Sequence, residues 1–128
     1  MVFPQPLSPT SPTASPGSSL RLTQIHGGVV QGIGMALMEE IVYEDGLVIN
    51  NNWTDYKLPT IADVPQIEAI IVEHPVEGGP FGAKGLGEPP VIPPPAAIAN
   101  AISRATDVRL RTLPMTPERL VLALRKAT

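Results

Sequence analysis

Apolar residues recur at helical spacing directly after the first 23 positions of the chain. Apart from one adjacent pair, they fall three or four positions apart, and they end beside two acidic residues, Glu39 and Glu40. The apolar positions are Val29, Val30, Ile33, Leu37 and Ile41. Because one face of an α-helix repeats about every 3.6 residues, this spacing is typical of an amphipathic helix. The pattern predicts a first helix over residues 24–40.

The apolar runs that follow are short, β-branched and separated by turn residues, as in strands. Residues 41–43 and 47–49 flank Asp45-Gly46, a pair that readily takes the positive φ angles of a tight turn, so a β-hairpin is predicted. Residues 67–72 form an apolar run rich in isoleucine and valine, which predicts a buried strand.

Two further helices are predicted near the end of the chain, where each has clear end signals. Prolines 93–95 begin a helix that ends near Thr106-Asp107. Thr116 can cap a last helix whose first position is Pro117, and residues 108–113 between the two helices predict a short strand. Because helices and strands alternate without the regular period of a doubly wound sheet, the expected fold class is α+β.

The first 23 residues differ in composition from the rest of the chain. They hold five of the sixteen prolines, many serines and few apolar side chains. A segment that can bury little apolar surface does not offset the entropy lost on folding. We therefore expect a disordered Pro/Ser-rich tail over residues 1–23 and a folded region over residues 24–128.

Charge and composition exclude several classes of function. A net charge of −3 provides no basic surface for a phosphate backbone, so no nucleic-acid partner is expected. The chain has no cysteine, and its two histidines lie at no recognised ligand spacing, so no metal held by side chains is expected. No apolar run approaches the roughly 18 residues of a membrane span, so we expect a cytoplasmic protein without membrane association.

The predicted first helix is unusually rich in glycine. Its glycines are Gly27, Gly28, Gly32 and Gly34, and each costs about 1 kcal/mol of helix propensity relative to alanine. Gly28 and Gly32 lie on one face, where either another backbone or a bulky ligand can approach closely. Close helix packing is the simpler of these two explanations. Gln31 lies beside this face, with an amide that can donate and accept hydrogen bonds.

A second feature is the Gly- and Pro-rich loop over residues 75–95, whose length favours a function beyond connection. The residues around Lys84 do not match a phosphate-binding loop, and no dinucleotide-binding glycine pattern is present. Glu88 follows several glycines and precedes Pro89, which restricts the backbone of Glu88 to extended conformations and suits a positioned base. Taken alone, the loop favours an exposed glutamate without a catalytic role over a positioned base.

The glycine-rich first helix and the Gly- and Pro-rich loop together resemble segments of a known family. Residues 24–37 (QIHGGVVQGIGMAL), followed by residues 82–90 (GAKGLGEPP), resemble the closing region of the molybdopterin-binding subunit of the xanthine dehydrogenase and aldehyde oxidase family. This family includes proteins similar to the large chain of carbon monoxide dehydrogenase. Residues 55–60 (DYKLPT) and 116–119 (TPER) extend the resemblance toward the end of the chain.

The resemblance implies a site and a reaction. In that family, the glutamate of the loop is the general base beside molybdenum, so Glu88 is implied as the catalytic residue. Gln31 is implied to contact the pterin, and Lys84, Gly85 and Gly87 to help bind the molybdenum-molybdopterin cofactor. The pterin, and no side chain, holds the metal. The implied reaction is the oxidative hydroxylation of an aldehyde or N-heterocycle, with water as the oxygen source.

The resemblance also implies partners. Residues 24–128 would be the C-terminal part of the molybdopterin-binding domain, and the partners would be the remainder of that subunit, an iron–sulfur subunit and an FAD subunit or domains. Because such a cofactor site is built from distant segments, the isolated chain is expected to be incomplete and inactive. The alternative is a non-catalytic remnant or small interaction domain that keeps the fold fragment without cofactor.

Overall fold

The computed structural model describes residues 16–72 and 74–127. Over these residues the chain forms three α-helices and one small antiparallel sheet, which confirms the α+β class. The elements are α1 (Pro16–Leu37), β1 (Tyr43–Glu44), β2 (Leu47–Val48), a short 3₁₀ helix (Pro80–Gly82), α2 (Pro93–Thr106) and α3 (Pro117–Ala127).

The first helix is longer than its apolar pattern predicts at one end and shorter at the other. It begins at Pro16, a residue that the first turn of a helix tolerates because its missing N–H would have no helical partner there. Residues 16–23 are thus helical, which corrects this part of the predicted disordered tail, while residues 1–15 lie outside the described residues. The helix ends at Leu37, where the carbonyl of Gly34 accepts hydrogen bonds from the backbone N–H groups of Met38 and Glu39.

The predicted hairpin is confirmed. Tyr43 pairs with Val48 and Glu44 with Leu47 across a turn in which Asp45 and Gly46 have φ angles of 48° and 81°. The Asn50 side chain closes the base of the hairpin, because its Oδ1 accepts from Val42 N at 2.9 Å and its Nδ2 donates to Glu40 O at 2.6 Å.

The two other predicted strands are wrong. Residues 67–72 and 108–113 are assigned to no strand, and Ile70 and Val72 are 79% and 85% exposed where a buried strand was expected. A strand needs a neighbouring strand to pair its backbone groups, and β1 and β2 make up the whole sheet of the described residues. An apolar, β-branched run predicts a tendency toward extended backbone, but it does not supply the neighbouring strand.

The predicted α2 and α3 are confirmed with their end signals. Pro93 begins α2, and Asp107 ends it in the left-handed conformation, donating its N–H to the carbonyl of Ser103 at 2.9 Å. At the start of α3, the Thr116 hydroxyl accepts from the backbone N–H of Arg119 at 3.3 Å, as expected of an N-cap.

The core is small and lies where α1 meets α2 and the segment before α3. Ala36 and Met115 are its buried apolar side chains, and the N–H of Met115 donates to the carbonyl of Ala36 at 2.6 Å. Arg119 reinforces this junction, since its guanidinium contacts the Glu40 carboxylate and the Pro114 carbonyl at 2.6 and 2.8 Å. The end of α1 is thereby tied to the start of α3.

Candidate functional site

The glycine face of α1 is occupied by another segment of the chain. A Cβ on Gly28 would lie 2.6 Å from the Cβ of Pro90, and one on Gly32 would lie 2.9 Å from atoms of Pro94 and from the carbonyl of Val91. These distances are too short for an alanine without movement of the neighbouring chain. Of the two explanations left open by the sequence, close packing of the helix is therefore confirmed at Gly28 and Gly32, where proline rings and backbone of another segment lie against it.

Gly34 has a different neighbourhood. A Cβ there would lie 2.9 Å from the Pro59 ring and would also overlap the Glu39 carboxylate. That carboxylate accepts a hydrogen bond of 2.8 Å from the Tyr56 hydroxyl. The hydrogen bond raises the pKa of Tyr56 above its ordinary value, with contributions from desolvation and from the negative charge of Glu39. Residues 55–60 are thus fixed against the end of α1.

The first half of the Gly- and Pro-rich loop folds on itself. The Ala83 N–H donates to the Pro80 carbonyl at 3.0 Å, and the Val76 N–H donates to the Gly82 carbonyl at 3.2 Å. Phe81 has a φ of 54°, and its side chain is fully exposed. This compact turn precedes the segment that carries Glu88.

The segment that carries Glu88 is attached to α1 on both sides of that residue. The Gln24 side chain donates from Nε2 to the carbonyl of Gly87 at 2.8 Å, and Pro90 contacts Gly28. The carbonyl of Glu88 accepts from the N–H of Val91 at 2.9 Å, which closes a turn toward α2. The Glu88 side chain itself is exposed.

Gln31 lies on the same side of α1 as these attachments. It follows Gln24 by seven residues, which is close to two helical turns, and it directly precedes Gly32. Its side chain is exposed. The structure therefore brings the helix that carries Gln31 against the loop that carries Glu88.

The other predicted site residues lie in the open part of the loop. Lys84, Gly85 and Gly87 are exposed, and a Cβ on either glycine would meet nothing within 4 Å. The backbone of residues 85–87 is therefore approachable from outside.

The sequence pattern assigns no role to Gln24, although this residue begins the first motif. Its seven-residue spacing from Gln31 was the available signal, because that spacing repeats a position on one side of a helix. The partner of its amide, Gly87, lies 63 positions away. No local pattern relates residues so far apart.

An apolar cleft of about 550 Å³ lies away from this site, at the junction of the three helices. Its lining is Leu37, Met38, Lys57, Ile102, Met115, Thr116, Pro117 and Leu120. Leu37 is 13 residues along α1 from Gln24, which corresponds to about 20 Å of helix. The cleft contains none of the predicted site residues.

Residues 16–72 and 74–127 contain no group of three or more histidine, aspartate or glutamate side chains arranged to hold a metal ion. In the same part of the chain, no helix is long and apolar enough to cross a membrane.

Comparison with known proteins identifies the family. Residues 19–65 match the family model of the molybdopterin cofactor-binding domain, which begins within the predicted tail and agrees with the early start of α1. The chain is 50% identical over 99 residues to the xanthine dehydrogenase molybdenum-binding subunit of Escherichia coli O157:H7, covering 76% of this chain and 13% of that protein. It is 44% identical over 103 residues to the aldehyde oxidoreductase of Megalodesulfovibrio gigas, covering 80% of this chain and 11% of that protein.

Comparison with a solved structure supports the same family. The crystal structure of quinoline 2-oxidoreductase from Pseudomonas putida 86 superposes with a TM-score of 0.77 at 38% identity, covering 82% of this chain and 14% of that one. The chain thus spans less than a sixth of the length of each of these relatives. The chain belongs to the xanthine dehydrogenase and aldehyde oxidase family and corresponds to part of its molybdopterin-binding subunit.

Proposed function

We propose that this chain forms the C-terminal part of a molybdenum hydroxylase subunit, in which Glu88 is the general base. The observation that carries the proposal is the attachment of the Glu88 segment to the glycine helix of a molybdopterin-binding family. Gly87 and Pro90, on either side of Glu88, contact Gln24 and Gly28 of α1. A carboxylate held between two fixed points can be presented to a substrate in one geometry, which general-base catalysis requires.

The residues around Glu88 fit one wall of a molybdopterin site. Gln31 offers an exposed amide for the polar edge of a pterin, and the open backbone at Gly85 and Gly87 allows a ligand to approach N–H groups closely. The exposed ammonium of Lys84 suits an anionic group of the cofactor. When bound, molybdenum-molybdopterin would supply the two-electron oxidation needed for hydroxylation.

The proposed role of Glu88 is to accept a proton as water supplies the oxygen for hydroxylation of an aldehyde or N-heterocycle. Its exposure in this chain leaves the carboxylate accessible to a substrate. Proton acceptance by a positioned carboxylate typically contributes about 10²- to 10⁴-fold to a rate.

The surface of the chain supports partners from the rest of such an enzyme. Large apolar side chains are exposed on the hairpin, at Trp53 and along residues 67–72, with Trp53 81% exposed. Large apolar side chains exposed in this number favour an interaction surface. The proposed occupant is the remainder of the molybdenum subunit, because relatives are several times longer than this chain. An iron–sulfur subunit and an FAD subunit would complete the cytoplasmic enzyme.

A second candidate is a non-catalytic remnant or interaction domain that keeps this fold without cofactor. The observation that favours it is the exposure of Glu88 and Gln31, which no residue of the described chain encloses. An exposed site holds a ligand weakly, since most cofactor sites bury the greater part of their ligand.

Elemental analysis distinguishes the two candidates. The chain is produced alone and, separately, joined to the upstream portion of the Escherichia coli relative, both in a host that makes the cofactor. We expect molybdenum to be near zero in the chain alone and close to stoichiometric in the joined subunit. The upstream portion alone is the control. If the joined subunit loads no more molybdenum than that control, the non-catalytic candidate is favoured.

A further inference from the structure

We propose that Gln24 is a positioning residue for Glu88, acting through the hydrogen bond from its side-chain amide to the carbonyl of Gly87. The inference deepens the proposed function and rests on it for the role of Glu88. The hydrogen bond itself, at 2.8 Å, joins residues 63 positions apart. It is a feature of the folded chain and does not depend on the proposed function.

The Glu88 segment runs along α1 in the same direction as the helix. Gln24 contacts Gly87, Gly28 contacts Pro90, and Gly32 contacts Val91 and Pro94. Glu88 therefore lies between two attachments to α1. The polar attachment before it is the hydrogen bond from Gln24 to Gly87, and the packed attachment after it is the contact of Pro90 with Gly28. The packed attachment is built from proline and helix backbone, which have little freedom to move.

The polar attachment restrains the more flexible side of Glu88. Gly85 and Gly87 have the largest backbone freedom of any residue type, and no side chain of theirs can pack to fix the loop. Pro89 restricts the φ and ψ angles of Glu88 but does not fix where Gly87 lies. The hydrogen bond from Gln24 supplies that restraint, because it holds the carbonyl of the peptide bond that leads into Glu88.

The restraint needs a side chain as long as glutamine that can also donate a hydrogen bond. Methionine at position 24 has nearly the shape of glutamine but donates no hydrogen bond, and glutamate presents an acceptor to the Gly87 carbonyl. Both are good helix formers at an exposed position, so α1 should remain folded in either variant. Gln66→Met is the matched control, since Gln66 is exposed in another segment of the chain.

The first experiment uses the rate of proteolysis to measure how freely the loop around Gly87 moves in the full chain. Trypsin cleaves after the exposed Lys84, and a protease must bind several residues on each side of the bond it cuts, which include Gly87. We expect cleavage at this bond to be roughly 2- to 10-fold faster in Gln24→Met and Gln24→Glu, the range set by one hydrogen bond. Gln66→Met should match the parent. Equal rates in all variants would overturn the inference.

The second experiment measures catalysis in the subunit completed by the upstream portion of a relative. We expect Gln24→Met to lower kcat on the order of 10- to 100-fold, with KM and molybdenum content unchanged, because a displaced base slows the chemical step and not binding. Glu88→Gln is measured beside it. If Glu88→Gln leaves kcat unchanged, the proposed function fails. If Glu88→Gln lowers kcat and Gln24→Met does not, only the positioning role fails.

Discussion

Gly28 and Pro90 are so close that a Cβ on Gly28 would lie 2.6 Å from the Cβ of Pro90. Gly28→Ala must therefore push apart α1 and the Glu88 segment. The overpacking should lower the free energy of unfolding by about 1–3 kcal/mol, which equals or exceeds the helix-propensity gain of about 0.5–1 kcal/mol. The net loss is measured by urea unfolding followed by circular dichroism.

Gly27 provides the matched control for this prediction. It lies in the same helix, but a Cβ there would meet nothing within 4 Å. Gly27→Ala should raise the free energy of unfolding by about 0.5–1 kcal/mol, because only the propensity gain remains. Equal effects of the two substitutions would show that the contact between Gly28 and Pro90 does not form.

The hydrogen bond between Tyr56 and Glu39 predicts a pH dependence. The carboxylate stabilises the neutral phenol and opposes the phenolate, so the pKa of Tyr56 is raised. Because the folded value lies above the unfolded value of about 10, the stability contributed by this pair is fully present below pH 10. It is lost as the pH rises through the folded pKa.

Ultraviolet titration of the phenolate tests this prediction in a Tyr43→Phe background, which leaves Tyr56 as the one remaining tyrosine. Glu39→Gln in that background should lower the titration midpoint, since the charge and the strong acceptor are removed. An unchanged midpoint in Glu39→Gln would mean that the two side chains do not interact in solution.

Features with local causes were predictable from the sequence. The hairpin turn follows from Asp45-Gly46, the start of α2 from Pro93, and the cap of α3 from Thr116, and all three are present. The start of α1 was missed because a few prolines and serines outweighed the helical potential of residues 16–23. Composition averages over a segment and does not detect where a helix enters it.

Features with distant causes were not predictable. Residues 67–72 have strand character but no strand beside them in the described chain. The sequence indicated that Gly28 needs a close neighbour, yet only the fold identifies Pro90 as that neighbour. The hydrogen bond from Gln24 to Gly87 likewise depends on the path of the loop over 63 intervening positions. Tertiary contacts of this kind are set by the packing of whole elements.

Gln31 should affect cofactor loading more than the chemical step. Its exposed amide lies on the side of α1 that carries the loop, and Gln31→Ala would remove one polar contact to the pterin. In the completed subunit we expect a loss of bound molybdenum, with kcat per bound molybdenum within about 10-fold of the parent. Undiminished loading together with unchanged kcat would contradict a role at the cofactor.

Glu88→Gln in the completed subunit tests the general base directly, because it keeps the size of the side chain and removes the proton acceptor. Glu77→Gln, on the same loop and also exposed, is the control. The measurement is kcat per bound molybdenum. We expect a loss of at least ~10²-fold for Glu88→Gln with unchanged molybdenum content, and no loss for Glu77→Gln. A kcat within a few-fold of the parent in fully loaded Glu88→Gln would contradict the assignment of Glu88 as the base.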